Sequence, residues 1–164
     1  MENFDWTSFT KKIAIKSRMA DIYNAFTKSN ELERWFLEKA SFFNSEGTVI
    51  SKYINATDGV SYEWLWFLYP EVMKGTIKKA NGKDFVQFSF EGECLVDLSL
   101  SELNGYTLIE LKQHQIPTDD HAKEFLRLGC SNGWTFYLTN LKSVYEGGID
   151  LRNKDKHLAV MINN

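Results

Sequence analysis

Tyr62, Trp64 and Trp66 stand two residues apart in the run Val60-Ser-Tyr-Glu-Trp-Leu-Trp-Phe-Leu-Tyr69. On a strand, that spacing puts all three rings on one face, about 6.7 Å apart. Rings in such an array do binding chemistry: they take apolar surface out of water and stack on flat ligands. Residues suited to making and breaking bonds are less favourably placed. His114, His121 and His157 form no metal-like spacing with Cys94 or Cys130. Serine, histidine and aspartate are present, but no nucleophile-elbow motif orders them into a triad. No phosphate-cradling glycine loop occurs. Glu63, Asp97 and Glu110 lie in strand-like segments, and a carboxyl aimed into a dry cavity could serve as an acid or base. Alternation instead puts Glu63 and Asp97 opposite the apolar faces of their strands, toward solvent. The pattern points to a non-enzymatic binding role, with no catalytic residue, metal or cofactor expected.

Composition agrees with binding. Phe, Tyr and Trp make up 15% of the 164 residues, including 5 Trp and 12 Phe. So many rings in a small chain imply a bulky core or an aromatic-lined cavity. A net charge of -3 argues against a strongly basic nucleic-acid binder. No apolar run approaches the ~18 residues of a membrane span. The acidic start, Met1 to Asp5, lacks the apolar stretch of a signal peptide. Cys94 and Cys130 make no disulfide framework; they read as small hydrophobes in a reducing cytoplasm. The length predicts one domain over 1–164, with a core at about 9–148 and a tail at 149–164.

The elements that must hold these rings follow from periodicity. Residues 10–16 read as a strand, with Ser17 as a cap for a short helix carrying Ile22, Ala25 and Phe26. Asn30 caps a second, with Glu33 as its box partner and Leu32, Trp35 and Phe36 on one face. Strands are then predicted over 48–55, 60–69, 72–79, 85–90, 94–100 and 106–115, with turns at Asp58-Gly59, Asn81-Gly82, Gly92 and Asn104-Gly105. After Pro117, Thr118 caps a long helix to about Glu146, ending at Gly147-Gly148. Gly129 and Gly133 sit four apart on its sheet-facing side. Close helix–sheet packing is the expectation for them, and room for a ligand the alternative. The even alternation at 60–69 turns Leu65 and Phe67 away from the indole face, as an outer patch or as a seat for the tail. Leu158-Ala-Val-Met-Ile162 is apolar enough to pack, add a strand or make a homodimer contact.

This layout resembles the START-like (SRPBCC, Bet v-like) helix-grip superfamily. Within it, the chain is similar to proteins like the C-terminal domain of the activator of heat shock protein 90 ATPase. Three stretches carry the resemblance: Ile13-Ala-Ile with Asp21-Ile-Tyr-Asn-Ala-Phe26 and Glu33-Arg-Trp-Phe36; His114-Gln-Ile-Pro117; and Gly133-Trp134 with Tyr137-Leu-Thr-Asn-Leu-Lys142 and Gly147-Gly148. It implies an α+β fold, a curved antiparallel sheet around a long C-terminal helix with two short helices at one end.

In such a fold, Trp64, Trp66, Phe88, Phe90, Trp134, Tyr137 and Leu138 are the candidate cavity wall. Trp35, Phe36 and Phe43 are placed at its entrance. The leading expectation is a cavity for a small apolar or aromatic molecule. The resemblance implies a second use, contact with a chaperone or another protein. A cyclase or hydrolase of the same fold is the third.

Overall fold

Alternating apolar and polar residues, broken by Asn-Gly, Asp-Gly and Glu-Gly turns, build one seven-stranded antiparallel sheet. The computed structural model describes residues 4–164. The first three, Met1-Glu2-Asn3, lie outside the described residues, so the acidic start is seen only in part. The strands are β1 (Phe9–Ile15), β2 (Lys39–Phe43), β3 (Ser61–Leu65), β4 (Met73–Ala80), β5 (Phe85–Ser89), β6 (Leu95–Leu103) and β7 (Tyr106–His114). Their spatial order is β1-β7-β6-β5-β4-β3-β2, a meander closed at one edge by the first strand. Helices α1 (Met19–Thr27) and α2 (Ser29–Trp35) fill the connection from β1 to β2. The chain then leaves β7 for a π-helical segment, Ala122–Gly129, which runs into α3 (Cys130–Tyr145).

The strand register explains the core. Leu98 faces Leu111 and Leu100 faces Ile109 across β6 and β7, and all four are buried. Their odd-numbered neighbours on β6, Asp97 and Ser99, point outward, where Asp97 accepts from Gln87 (2.7 Å) and bonds to His114 (3.1 Å). Glu63 pairs on the same outer side with Lys74 at 2.8 Å. Alternation therefore read Glu63 and Asp97 correctly. Asn104 and Gly105 take φ of 51° and 81°, the paired left-handed geometry of a two-residue hairpin turn. On α3 the buried positions Trp134, Leu138 and Leu141 recur at helical spacing and face the sheet.

Several local expectations fail, each for a physical reason. Residues 48–55 form no strand; only Val49 makes an isolated bridge, to Phe43. The segment touches the free edge of β2 only at Val49 and Ile50 and then bonds to the short helices instead, the Lys52 carbonyl accepting from the Asn30 amide at 3.2 Å and the Ala56 amide donating to the Thr27 carbonyl at 2.7 Å. The strand predicted over 60–69 stops at Leu65, and Leu68 takes a left-handed φ of 66° before Pro70. Neither Ser17 nor Asn30 caps a helix; the residues before α1 and α2 are Arg18 and Lys28, without side-chain caps. Glu33 accepts from the Ala40 amide instead, at 3.1 Å. Asp119, not Thr118, receives the Ala122 amide at 3.0 Å. The long helix is π-wound for its first eight residues, with the Cys130 amide bonded back to the Phe125 carbonyl. Ala122 is nonetheless buried, Leu126 and Cys130 pack against the core, and Phe125 and Leu128 are exposed.

Gly75 is required by close approach. It sits opposite Tyr62 in the β3–β4 register, and a Cβ there would overlap the Tyr62 ring. That ring stacks on Trp64 at 3.8 Å and donates its hydroxyl to the Ser89 carbonyl at 2.6 Å. Gly75→Ala must displace the stack. The expected cost is about 1–3 kcal/mol, read as a lower urea midpoint with an unchanged m-value. An unaffected midpoint would show that the Tyr62 ring is free to move aside.

Candidate functional site

The site grows from Phe36, the residue after α2. Two backbone bonds end that helix, Phe36 and Leu37 amides to the Leu32 carbonyl at 2.9 and 3.0 Å. A helix end leaves carbonyls without partners. Here α3 and the tail supply them. Asn140 donates to the Trp35 carbonyl at 2.7 Å. Arg152 donates to the Leu37 and Glu33 carbonyls at 2.8 and 3.0 Å. The Arg152 side chain is 2% exposed and is paired with Asp150 at 2.7 Å. This fastening holds Phe36 in the centre of a ring cluster. It stacks between Trp35 (5.0 Å) and Trp134 (5.1 Å) and meets Trp66 (5.2 Å) and Tyr137 (4.9 Å) edge-on.

On one side of this cluster the packing opens into a groove of about 720 Å³. Its aromatic wall is Phe36, Trp66, Phe90, Trp134 and Tyr137. The β3–β4 loop contributes Tyr69, Glu71 and Val72 to one lip, and the tail contributes Met161 and Ile162 to another. Gly129, Cys130 and Gly133 form the helix side, with Phe125 and Phe136 beside them. A Cβ at Gly133 would meet nothing within 4 Å, and one at Gly129 only the Glu124 carbonyl, at 3.4 Å. The glycines therefore leave space rather than bring the helix against the sheet, which reverses the close-packing expectation.

Beneath the groove lies one buried polar group, Gln113 on β7. Its Oε1 accepts from Trp134 Nε1 at 3.1 Å, while its Nε2 has no hydrogen-bond partner. The Trp134 bond sets the amide's orientation, since a flipped amide would oppose two donors. Burial pushes the nearby Cys130 thiol up to about 12 and raises Cys94 as well. Both therefore stay protonated and are poor nucleophiles. Burial likewise raises Tyr137, whose hydroxyl donates to the Asn164 carbonyl at 3.0 Å. Glu91 is also raised, first by desolvation at the groove and then by the charge of Glu71.

Of the residues read from sequence as wall, Trp66, Phe90, Trp134 and Tyr137 line the groove. Trp64, Phe88 and Leu138 do not: they are fully packed behind it. Trp64 stands between Tyr62 and Phe88, with rings at 3.8 and 5.4 Å. Of the entrance residues, Phe36 lines the groove, but Trp35 is wholly buried with Nε1 on the Ala25 carbonyl at 2.9 Å. Phe43 is not at the entrance. It follows buried Phe42 on β2 and so points to the opposite face of the sheet.

Phe67 does not form an open outer patch, because Arg152 and Lys154 lie 5.1 and 4.9 Å from its ring centroid. The tail thus covers it, through 152–154 rather than 158–162. Sequence reasoning missed Gln113, Asn140, Asp150 and Arg152. Gln113 shares the strand parity of buried Ile109 and Leu111, a signal that marks it as inward. Nothing local marks Arg152, whose partners lie 115 and 119 positions away.

A seven-stranded antiparallel sheet packed on a long C-terminal helix, with two short helices at one end, is the START-like helix-grip fold. The chain belongs to the family described as Activator of Hsp90 ATPase homolog 1-like protein, whose model matches residues 16–146. Solved structures share the fold at low identity. A protein from Staphylococcus saprophyticus is 14% identical, with a TM-score of 0.70, over 88% of this chain and 96% of that one. The Aha1 dimer from Colwellia psychrerythraea is 17% identical, with a TM-score of 0.66, over 86% and 97%. DynU16, encoded in the dynemicin biosynthetic locus, is 16% identical, with a TM-score of 0.67, over 90% of this chain and 50% of that one. No curated protein sequence matches the chain. Among the described residues, no helix is long and apolar enough to cross a membrane.

Proposed function

We propose that this chain is a non-enzymatic binding protein for small, mainly apolar molecules, and that the aromatic groove beside α3 is its ligand site. The observation that carries this reading is the empty space above Gly133, walled by Phe36, Trp66, Phe90, Trp134 and Tyr137. Its volume of about 720 Å³ falls in the ordinary range for small-molecule sites, about 300–1,000 Å³. Burial of apolar ligand surface against the rings supplies the binding energy, at roughly 25 cal/mol per Å². Burial keeps the Cys130 thiol protonated, which removes it as a nucleophile at the groove.

The test fills the groove from the helix side. Gly133→Ala adds a Cβ into open space and should raise stability by about 0.5–1 kcal/mol, since glycine is a poor helix former. Gly133→Leu should keep the fold, as judged by thermal melting, and weaken a neutral naphthylamine probe at least ten-fold, monitored by energy transfer from tryptophan. Unchanged probe binding in Gly133→Leu, or no binding to the parent chain, would defeat the reading.

A protein-contact role is the second reading, favoured by the family and by the exposed Tyr69, Val72, Phe125 and Leu128. It predicts that the chain stimulates the ATPase of an Hsp90 homologue, and that Leu128→Glu, at an exposed position outside the groove lining, removes the stimulation while leaving the probe bound.

A further inference from the structure

The groove's charges are all of one sign. Glu71 and Glu91 are the charged side chains that line it, and no lysine or arginine joins them. Basic groups around it are engaged elsewhere: Arg152, whose charge reaches Tyr137, is held by Asp150 at 2.7 Å. Lys74 is held by Glu63 on the outer face of the sheet at 2.8 Å. Arg127 lies over Phe4 and Phe9, at 4.8 and 5.2 Å from their centroids. Among the described residues, neither Glu71 nor Glu91 has an ion-pair partner. Glu91 is held at the lip by the turn between β5 and β6, where it takes a left-handed φ of 51° beside Gly92 at 73°. At the edge of the ring-lined cavity, without a counter-charge, the Glu91 carboxylate is disfavoured first by desolvation and then by the charge of Glu71. The upward shift of Glu91 records both effects.

From this we infer that the groove's ligand is an organic cation: an apolar body carrying an ammonium group at the Glu71–Glu91 lip. The inference rests on the groove being the ligand site. A positive head would relieve the repulsion between the two carboxylates and would lie against ring faces, whose quadrupole attracts cations. An anionic ligand would meet like charge at the lip and no basic residue in the lining. A neutral one would bind the rings alone. The net charge of -3 on the chain adds a weak attraction in the same sense.

The experiment uses the full chain and three compounds that share a naphthylmethyl body and differ in the head: trimethylammonium, alcohol and carboxylate. Isothermal titration at low salt should rank them in that order of affinity. The ammonium should exceed the alcohol by roughly ten-fold, the scale of a desolvated cation–ring contact. In the Glu71→Gln, Glu91→Gln double variant the dissociation constants of ammonium and alcohol should converge. Equal affinities in the parent chain, or a preference for the carboxylate, overturn the inference. If the alcohol then still binds and Gly133→Leu abolishes it, the groove reading survives and the charge preference alone has failed. If none of the three binds, or Gly133→Leu leaves them all bound, both fail together.

Discussion

Arg152→Ala should lower the unfolding free energy by about 3–5 kcal/mol, the scale for removing one partner of a buried ion pair. The side chain is 2% exposed and makes five hydrogen bonds of 2.7–3.1 Å, to Asp150 and to the carbonyls of Glu33 and Leu37. Its loss leaves the carbonyls at the end of α2 without donors and Asp150 without its guanidinium. Arg152→Lys should recover only a small part, since one ammonium does not reproduce the planar fork. A urea titration measures both.

The same pair gives an acid dependence of known sign. Burial raises Asp150, but the hydrogen bonds from Arg152 and Lys154 outweigh it and hold the carboxyl well below its ordinary range. A depressed native pKa contributes stability that is complete above the unfolded value of about 3.9 and is lost as pH falls further. Arg152→Ala should therefore flatten stability against pH below about 4. An Arg152→Ala chain as stable as the parent would mean that the tail does not fasten α2.

Phe36→Ala carries the second large effect, about 3–5 kcal/mol for a buried phenylalanine reduced to alanine. The ring is 2% exposed and touches five aromatic partners, Trp35, Trp64, Trp66, Trp134 and Tyr137, at 4.9–5.8 Å. Phe36→Leu keeps most of the volume and should cost far less, and it separates ring-specific contacts from bulk burial. In Phe36→Leu the naphthylamine probe should bind roughly 2–10-fold more weakly, the worth of one aromatic pair. Phe43→Ala gives the contrast. Its ring faces away from the groove, so the probe should bind as in the parent chain. Equal weakening in both variants would show that the cluster around Phe36 does not shape the groove.

The strands and the inward face of each were largely legible because side-chain parity is a local property. Val96, Leu98 and Leu100 announce their face by alternation alone, and the structure buries all three. Trp134 and Tyr137 were legible as groove residues because their helical positions face the sheet. Trp64 and Phe88 share parity with the groove-lining Trp66 and Phe90, yet lie one pleat deeper along their strands, where the rings fill the space. Parity assigns a face and is silent on depth. The segment 48–55 was misread because its backbone bonds to α2 and the end of α1 rather than along the free edge of β2, a tertiary choice that β-propensity does not encode.

The order of amino acids was by itself enough to determine the antiparallel meander and the long closing helix, since both rest on periods of two or 3.6 residues and on turn chemistry; the family resemblance rests on the three short motifs. Only the tertiary structure decided where the interior stays open. That depends on the π winding before Cys130, on the left-handed turn at Glu91 and on the grip of Arg152, which joins positions 115 apart. Contacts across such separations form when the packed elements bring them together, and no local pattern encodes them.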